Sequence, residues 1–179
     1  MLTGHASHQI GLDADIWLTP MPNRTLTRKE RENISATLVV KDRHAMNFKV
    51  WTESHARLIK RAANYKEVER IFVHPPIKQE LCKWATGDRS WLAKVRPMFG
   101  HNYHFHIRMS CPIGEKGCKP QGVPHPKDGT GCGEELAYWM GDEPWTPKKR
   151  DPNAPPVKPA PPLTLSGLPV DCRSVIAAE

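Results

Sequence analysis

The stretch His104-Phe105-His106-Ile107-Arg108-Met109-Ser110 alternates strictly between polar and apolar side chains. Successive side chains of a β-strand point to opposite faces of a sheet, so a period of two is typical of a strand with one buried face. The stretch therefore predicts a strand whose apolar positions lie in the core. His104 and His106 are two residues apart and are expected to share the opposite face.

Two more stretches are predicted to form strands of the same sheet. Asp13–Trp17 alternates, and residues 69–74 are rich in β-forming side chains and end at Pro75-Pro76. A shorter β-like run covers residues 35–40. We expect these strands to make a small antiparallel sheet.

Helical segments are predicted between the strands. Thr52 is expected to cap a helix whose apolar residues recur at helical spacing up to Ala63. Two short helices are predicted over residues 77–85 and 88–95, whereas residues 18–33 are turn-rich and charged and are expected to form an exposed loop. The irregular intervals and the lack of a glycine-rich phosphate loop favour an α+β fold over a doubly wound parallel sheet.

Proline marks the point where the folded part is predicted to end. Nine of the 18 prolines fall between Pro144 and Pro169. Such a composition favours an extended chain over a packed core. We therefore predict one folded domain over residues 1–143 and a Pro-rich extended tail over residues 144–179.

The chain is basic, with 26 Lys and Arg against 19 Asp and Glu and a formal charge of +7. The charge is diffuse and lacks interleaved aromatic residues, so we predict no nucleic-acid partner. A basic surface also attracts other polyanions, including anionic cell-wall polymers. The chain contains no run of 18 apolar residues, so no membrane-spanning helix is predicted. Its first residues lack the pattern of a secretion signal.

The five cysteines form no CxxC pair, which argues against a structural zinc finger or a thioredoxin-like site. Cys111 and Cys118 enclose a short, turn-rich loop of the kind that a disulfide stabilises. An odd number leaves one cysteine without a partner in this chain. Disulfides need an oxidising compartment, which conflicts with the lack of a secretion signal.

Histidine is the residue type that suggests chemistry, because the chain has nine and several are grouped. The two groups are His5 and His8 with Asp15, and His101, His104 and His106. Imidazole nitrogen and carboxylate oxygen are ligands of catalytic zinc, where three protein ligands leave a fourth position for water. A single histidine is more often a plain polar residue. The two groups, with apolar residues interleaved in the second, favour a metal site over a solvated surface.

Two motifs carry a resemblance to a known family. Gly4-His5-Ala6-Ser7-His8-Gln9-Ile10-Gly11-Leu12-Asp13-Ala14-Asp15-Ile16-Trp17 contains HxxxxxxD, and His101-Asn102-Tyr103-His104-Phe105-His106 contains HxH. Together they closely resemble the penicillin-insensitive murein endopeptidases, which belong to the lysostaphin-type, D-Ala-D-Ala and hedgehog-like metallopeptidases. The resemblance covers about residues 1–140 and includes residues 70–73, 94–97 and 131–136.

The resemblance implies a periplasmic zinc metallo-endopeptidase that hydrolyses the D-alanyl–meso-diaminopimelyl amide of peptidoglycan cross-links. The implied metal-site residues are His5, His8, Asp15 and His106. His104 and His101 correspond to catalytic residues beside the zinc. A D,D-carboxypeptidase of the same architecture and a non-catalytic, metal-stabilised cell-wall-binding module are the alternatives.

Further features follow from the same resemblance. It implies disulfides Cys82–Cys132 and Cys111–Cys118, and it pairs Cys172 with a cysteine of a preceding N-terminal segment. Members normally carry a signal peptide and a long stretch before the motif that begins here at Gly4. We therefore expect either that Met1 is an internal methionine taken as the start or that this chain is truncated at its N-terminus.

A second metal site lies at a subunit interface in family members, which adds a homodimer to the expected partners. It is built from an Asp-x-x-His-like pair. Asp42-Arg43-His44 occupies that region here, with the histidine one residue early. Asp42 and His44 are therefore candidate ligands of a second metal, and a polar turn is the preferred interpretation.

Overall fold

A four-stranded sheet carries the fold of the computed structural model. The strands are β1 Asp13–Trp17, β2 Val68–Val73, β3 Val95–Pro97 and β4 His104–Met109, in the order β1-β4-β2-β3. Strand β4 runs antiparallel to both neighbours, whereas β2 and β3 are parallel. The predicted α+β class is confirmed, and the sheet is mixed rather than purely antiparallel. The parallel pair arises because helical chain between β2 and β3 returns to the same end of the sheet.

The structure describes residues 8, 11–115, 118–147, 164, 166 and 174–177. The chain divides into two compact units, Met1–Thr146 and Pro147–Glu179, and the sheet belongs to the first. Most of the predicted extended tail falls outside the described residues, so that prediction stays open. Among the described residues, no helix is both long enough and apolar enough to cross a membrane.

Four α-helices and two 3₁₀ helices accompany the sheet in the described residues of the first unit after Gly11. They are α1 Arg28–Asn33, α2 Glu53–Ala63, α3 Pro75–Trp84 and α4 Glu134–Met140, with the 3₁₀ helices at Ser90–Lys94 and Glu143–Trp145. Thr52 is the N-cap of α2, as the sequence predicts. Helix α3 starts two residues earlier than predicted, since the fixed backbone of proline suits the first turn of a helix.

Three predicted elements differ from the structure. The expected loop over residues 18–33 contains α1, which is capped where the Thr27 side chain and the Glu30 carboxylate each accept a hydrogen bond from the other's backbone amide. The predicted helix over residues 88–95 is a 3₁₀ helix followed by β3. The β-like run over residues 35–40 forms only one bridge, between Val40 and Met46.

The core lies against one face of the sheet. Phe105 of β4 and Ile71 of β2 are fully buried there, beside Ile59 of α2 and Leu81 of α3. Because every second side chain of β4 points into this core, the positions between them must face the other way. The alternation therefore directs the polar residues of β4 to a face that the helices do not cover.

Two disulfides hold the segments around this sheet. Cys82 of α3 is bonded to Cys132, just before α4, and Cys111 is bonded to Cys118 in the loop after β4. Both pairings are those implied by the family resemblance. Cys172 lies outside the described residues.

Candidate metal centre and active site

The register of the sheet brings the predicted site residues together. Asp15 of β1 is directly opposite His106 of β4, and Phe72 of β2 is opposite His106 on the other side. Residues opposite each other in adjacent strands point to the same face. His104 and Asp13, each two residues away along its strand, therefore lie on this face as well.

His8, Asp15 and His106 form a group that can hold one metal ion. One ligand atom of each lies within 4.8 Å of the others. His8 Nε2 is 3.6 Å from Asp15 Oδ2, and His106 Nδ1 is 3.0 Å from Asp15 Oδ1. Zinc binds such atoms at about 2 Å, so its ligands lie about 3–4 Å apart. Two imidazoles and one carboxylate, with a fourth side open to the cavity, fit a catalytic zinc.

Gly11 makes the approach of His8 to Asp15 possible. Its amide donates a hydrogen bond of 3.2 Å to the His8 carbonyl, and its φ of 71° lies in the left-handed region that favours glycine. The chain therefore turns tightly between the two ligands. His5, the other predicted metal-site residue of this segment, lies outside the described residues.

The three ligands open into a cavity of about 450 Å³. His101, His104, Tyr103 and Phe72 form part of its walls. The His101 ring is 4.9 Å from the His104 ring, centroid to centroid, and 5.9 Å from the His106 ring. Both predicted catalytic histidines thus lie in the same cavity as the predicted metal ligands.

His101 is held in an unusual backbone conformation. Its φ is 51°, which is rare for a residue with a side chain, and it follows Gly100 at φ 67°. The His74 amide donates to the His101 carbonyl at 3.1 Å, and His101 Nδ1 donates to the Phe99 carbonyl at 2.6 Å. A carbonyl can only accept, so the proton of the neutral ring is on Nδ1 and Nε2 keeps a lone pair. Burial lowers the pKa of His101 to about 4, which keeps the ring neutral near pH 7.

His104 lies in the cavity wall, with its side chain 13% exposed. Its Nε2 is 3.7 Å from Asp15 Oδ1, and its ring lies against that of Tyr103, tilted by 50° with 4.4 Å between centroids. Burial lowers the pKa of His104, and the Asp15 carboxylate opposes that shift. His104 can therefore act beside the ligands without replacing one of them.

Asp13, Tyr103 and Arg108 belong to the site although the sequence analysis did not select them. The Asp13 side chain is almost wholly buried and lies between His106 Nε2 at 3.4 Å and Arg108 Nη1 at 3.3 Å. A signal for Asp13 was present, because it precedes Asp15 by two residues in a predicted strand and so shares its face.

Asp42 and His44, the candidate ligands of a second metal, lie in a polar turn. Asp42 Oδ1 accepts a hydrogen bond from the His44 amide at 2.8 Å, and His44 Nε2 accepts one from Arg43 Nε at 2.9 Å. Within the described part of the chain, no third ligand joins them in a group that could hold a metal. The second metal site stays a prediction.

Comparison with known proteins identifies the family. A family model described as penicillin-insensitive murein endopeptidase matches residues 1–177. The chain is 46% identical to a protein of that name from Haemophilus influenzae over 139 residues, 78% of this chain and 48% of the relative. It is 43% identical to one from Klebsiella pneumoniae over 173 residues, 97% of this chain and 59% of the relative.

A relative from Yersinia enterocolitica, also named penicillin-insensitive murein endopeptidase, is 41% identical over 174 residues, 97% of this chain and 58% of the relative. The chain thus spans about half to three fifths of the length of these relatives. The match extends over both predicted motifs and the disulfide-bonded segments. On this evidence the chain belongs to the penicillin-insensitive murein endopeptidase family.

Proposed function

We propose that this chain is a zinc-dependent murein endopeptidase that hydrolyses the D-alanyl–meso-diaminopimelyl amide of peptidoglycan cross-links in the periplasm. The names of the relatives support a murein endopeptidase. The observation that supports metal-dependent hydrolysis is the grouping of His8, Asp15 and His106 in one cavity with two further histidines. The two disulfides support an oxidising compartment.

The metal would be held by His8 Nε2, by an oxygen of Asp15 and by His106 Nδ1. Bound zinc would polarise the scissile carbonyl and would lower the pKa of its water far below the value in bulk water, toward about 7. The buried Asp13 carboxylate lies next to His106 Nε2 and favours the tautomer of His106 that carries its proton on Nε2. Nδ1 is then free to bind the metal. The donor set therefore fits a catalytic zinc on grounds of ligand type, tautomer and open access.

His101 is the better placed of the two remaining histidines to carry a proton. Its Nδ1 is occupied by the Phe99 carbonyl, so Nε2 can accept a proton from the attacking water. The same nitrogen can then donate that proton to the amine that leaves when the amide C–N bond breaks. His104, between Tyr103 and Asp15, is placed to donate a hydrogen bond to the oxyanion that develops on the scissile carbonyl.

Product analysis tests the proposal and separates the alternatives. A soluble cross-linked muropeptide dimer is incubated with the zinc-loaded chain, and the products are identified by mass spectrometry. An endopeptidase converts the dimer into two monomers by adding one water. Release of free D-alanine from monomeric pentapeptides would instead identify a D,D-carboxypeptidase. Stoichiometric zinc without cleavage of either substrate would identify a binding module and refute the proposed activity.

A further inference from the structure

A second cavity, of about 590 Å³, lies along the outer face of α2 and shares no lining residue with the metal cavity. We call it the α2 groove; its lining residues are Glu53, Arg57, Lys60, Arg61, Asn64, Tyr65 and Trp84. The buried face of α2, which includes Ile59, packs on the core side of the sheet. The α2 groove is therefore separated from the metal cavity by the sheet.

The α2 groove has an excess of positive charge. Among its described lining residues the only carboxylate is that of Glu53, which accepts hydrogen bonds from Arg57 at 2.9 and 3.1 Å and from Trp84 Nε1 at 3.3 Å. Those bonds lower the pKa of Glu53, and its negative charge is paired with that of Arg57. Lys60 and Arg61 form no ion pair within 4 Å of any described residue, although the Asp88 carboxylate interacts with Lys60 over a longer distance. Two cations are thus left to attract an anionic ligand.

Aromatic side chains accompany these cations. Lys60 Nζ is 5.8 Å from the Trp84 ring centroid and 5.9 Å from that of Trp91, within the range of cation–π attraction. The bond from Trp84 Nε1 to Glu53 fixes the orientation of the indole. Tyr65 is 53% exposed and adds a second aromatic surface. Rigid aromatic rings beside free cations suit a ligand that combines sugar-like or peptide surface with carboxylates.

We propose that the α2 groove binds peptidoglycan strands through the free carboxylates of their stem peptides, at a distance from the bond being cleaved. The choice of polymer rests on the proposed function, whereas the anionic character of the ligand rests on the groove alone. Lys60 and Arg61 bind the carboxylates, and Trp84 and Tyr65 contact the adjoining sugar or peptide. Such a site keeps the protein on an insoluble polymer between cleavage events.

Binding to purified sacculi tests this proposal. The zinc-loaded chain is mixed with sacculi on ice and sedimented within minutes, and the bound fraction is measured against sacculus concentration. We expect Lys60→Gln/Arg61→Gln to weaken binding about tenfold, as expected for two lost charge contacts. The control Lys29→Gln/Lys49→Gln makes the same change of charge at two exposed lysines outside the groove and should bind like the parent. Thermal unfolding and zinc content verify that both variants are intact.

Two further arms define the ligand. Sacculi whose carboxylates have been amidated should bind the parent as weakly as untreated sacculi bind Lys60→Gln/Arg61→Gln. Tyr65→Ala should weaken binding to untreated and to amidated sacculi alike, because its contact does not depend on charge. Equal binding of the parent and Lys60→Gln/Arg61→Gln to untreated sacculi would overturn the proposal. If the parent bound heparin as tightly as it binds sacculi, the groove would be a general polyanion-binding surface. That result would also overturn the proposal.

The proposed endopeptidase activity is judged separately, on the soluble cross-linked dimer with the unaltered chain. Failure of that cleavage would refute the activity, while the sedimentation result would still decide whether the α2 groove binds the polymer. Normal cleavage of the dimer, combined with groove variants that bind sacculi like the parent, would refute the groove alone.

Discussion

Asp13 Oδ2 lies 3.4 Å from His106 Nε2, on the side of the imidazole opposite Asp15. The Asp13 side chain is 1% exposed, and its Oδ2 has no hydrogen bond within the described residues. A buried carboxylate oxygen without a donor is costly, and the Nε2 proton of His106 is the group placed to satisfy it. That proton would leave Nδ1, which faces Asp15, as the nitrogen that binds metal.

Removing the Asp13 carboxylate should therefore weaken metal binding. We expect Asp13→Ala to lower the affinity for zinc about 10- to 100-fold, measured by competition with a chromogenic chelator. Asp13→Asn keeps a carbonyl oxygen that can accept the hydrogen bond from His106 Nε2, so its zinc affinity should fall less than that of Asp13→Ala. An unchanged zinc affinity in Asp13→Ala would show that the contact with His106 does not orient the ligand.

His106 and His104 should respond differently to substitution, although they lie two residues apart on one strand. His106→Ala removes a proposed ligand and should abolish both zinc retention and cleavage of the muropeptide dimer. His104→Ala should retain zinc and lose about 10²- to 10⁴-fold in turnover, as expected for a group that acts on the reacting atoms. Metal analysis after gel filtration, paired with turnover, separates the two roles. Zinc loss in His104→Ala in proportion to activity would make His104 a ligand.

The strand at the centre of the site was predictable because its alternation is strict and local. The pattern of residues 104–110 predicts both the buried face and the shared face of His104 and His106, and the structure places them so. The turn at Gly11 was also predictable from the sequence, because His8 and Asp15 are seven residues apart and can meet at one metal only if the chain turns between them. Local signals of this kind depend on neighbouring residues alone.

Other features were less accessible because they depend on contacts between distant segments. The parallel pairing of β2 with β3 follows from the path of α3, which no local pattern encodes. Helix α1 had a local signal in Thr27 and Glu30, but its charged composition favoured a loop. The sequence places Asp13 on the same face as Asp15, but its contact with His106 depends on the register between β1 and β4.

Lys78 should make stability depend on pH in the alkaline range. It is fully buried, and its Nζ donates to the carbonyls of Leu92 at 2.7 Å and Thr130 at 2.6 Å. Burial lowers its pKa from 10.5 to about 7. Between pH 7 and 10 the unfolded chain therefore binds more protons than the folded one, so the free energy of unfolding should rise with pH.

The comparison with Lys78→Met isolates this effect from other groups. Each pKa unit corresponds to about 1.4 kcal/mol, so the parent should gain a few kcal/mol relative to Lys78→Met as the pH rises from 7 to 10. Urea unfolding at several pH values measures both proteins. Parallel curves over this range would mean that Lys78 has the same proton affinity in the folded and unfolded chain.

The two disulfides should contribute unequally to stability. Cys82 and Cys132 are 50 residues apart, whereas Cys111 and Cys118 are seven apart. A cross-link that closes a longer loop restricts the unfolded chain more, which predicts losses of about 4 kcal/mol for Cys82→Ser/Cys132→Ser and about 2.5 kcal/mol for Cys111→Ser/Cys118→Ser. Urea unfolding of both double variants measures these losses.

The shorter disulfide should have a second effect, on the metal site. Arg108 Nη2 donates to the Lys119 carbonyl at 3.3 Å and contacts Cys118 Sγ at 3.8 Å, while its Nη1 faces Asp13. Opening the Cys111–Cys118 loop should loosen Arg108 and thereby Asp13, which lies against His106. We expect Cys111→Ser/Cys118→Ser to lower zinc affinity severalfold, whereas Cys82→Ser/Cys132→Ser should keep it. If the chelator competition showed a larger loss of zinc affinity for Cys82→Ser/Cys132→Ser, the disulfide loop would not be coupled to the metal site. Arg108 would then have a purely structural role.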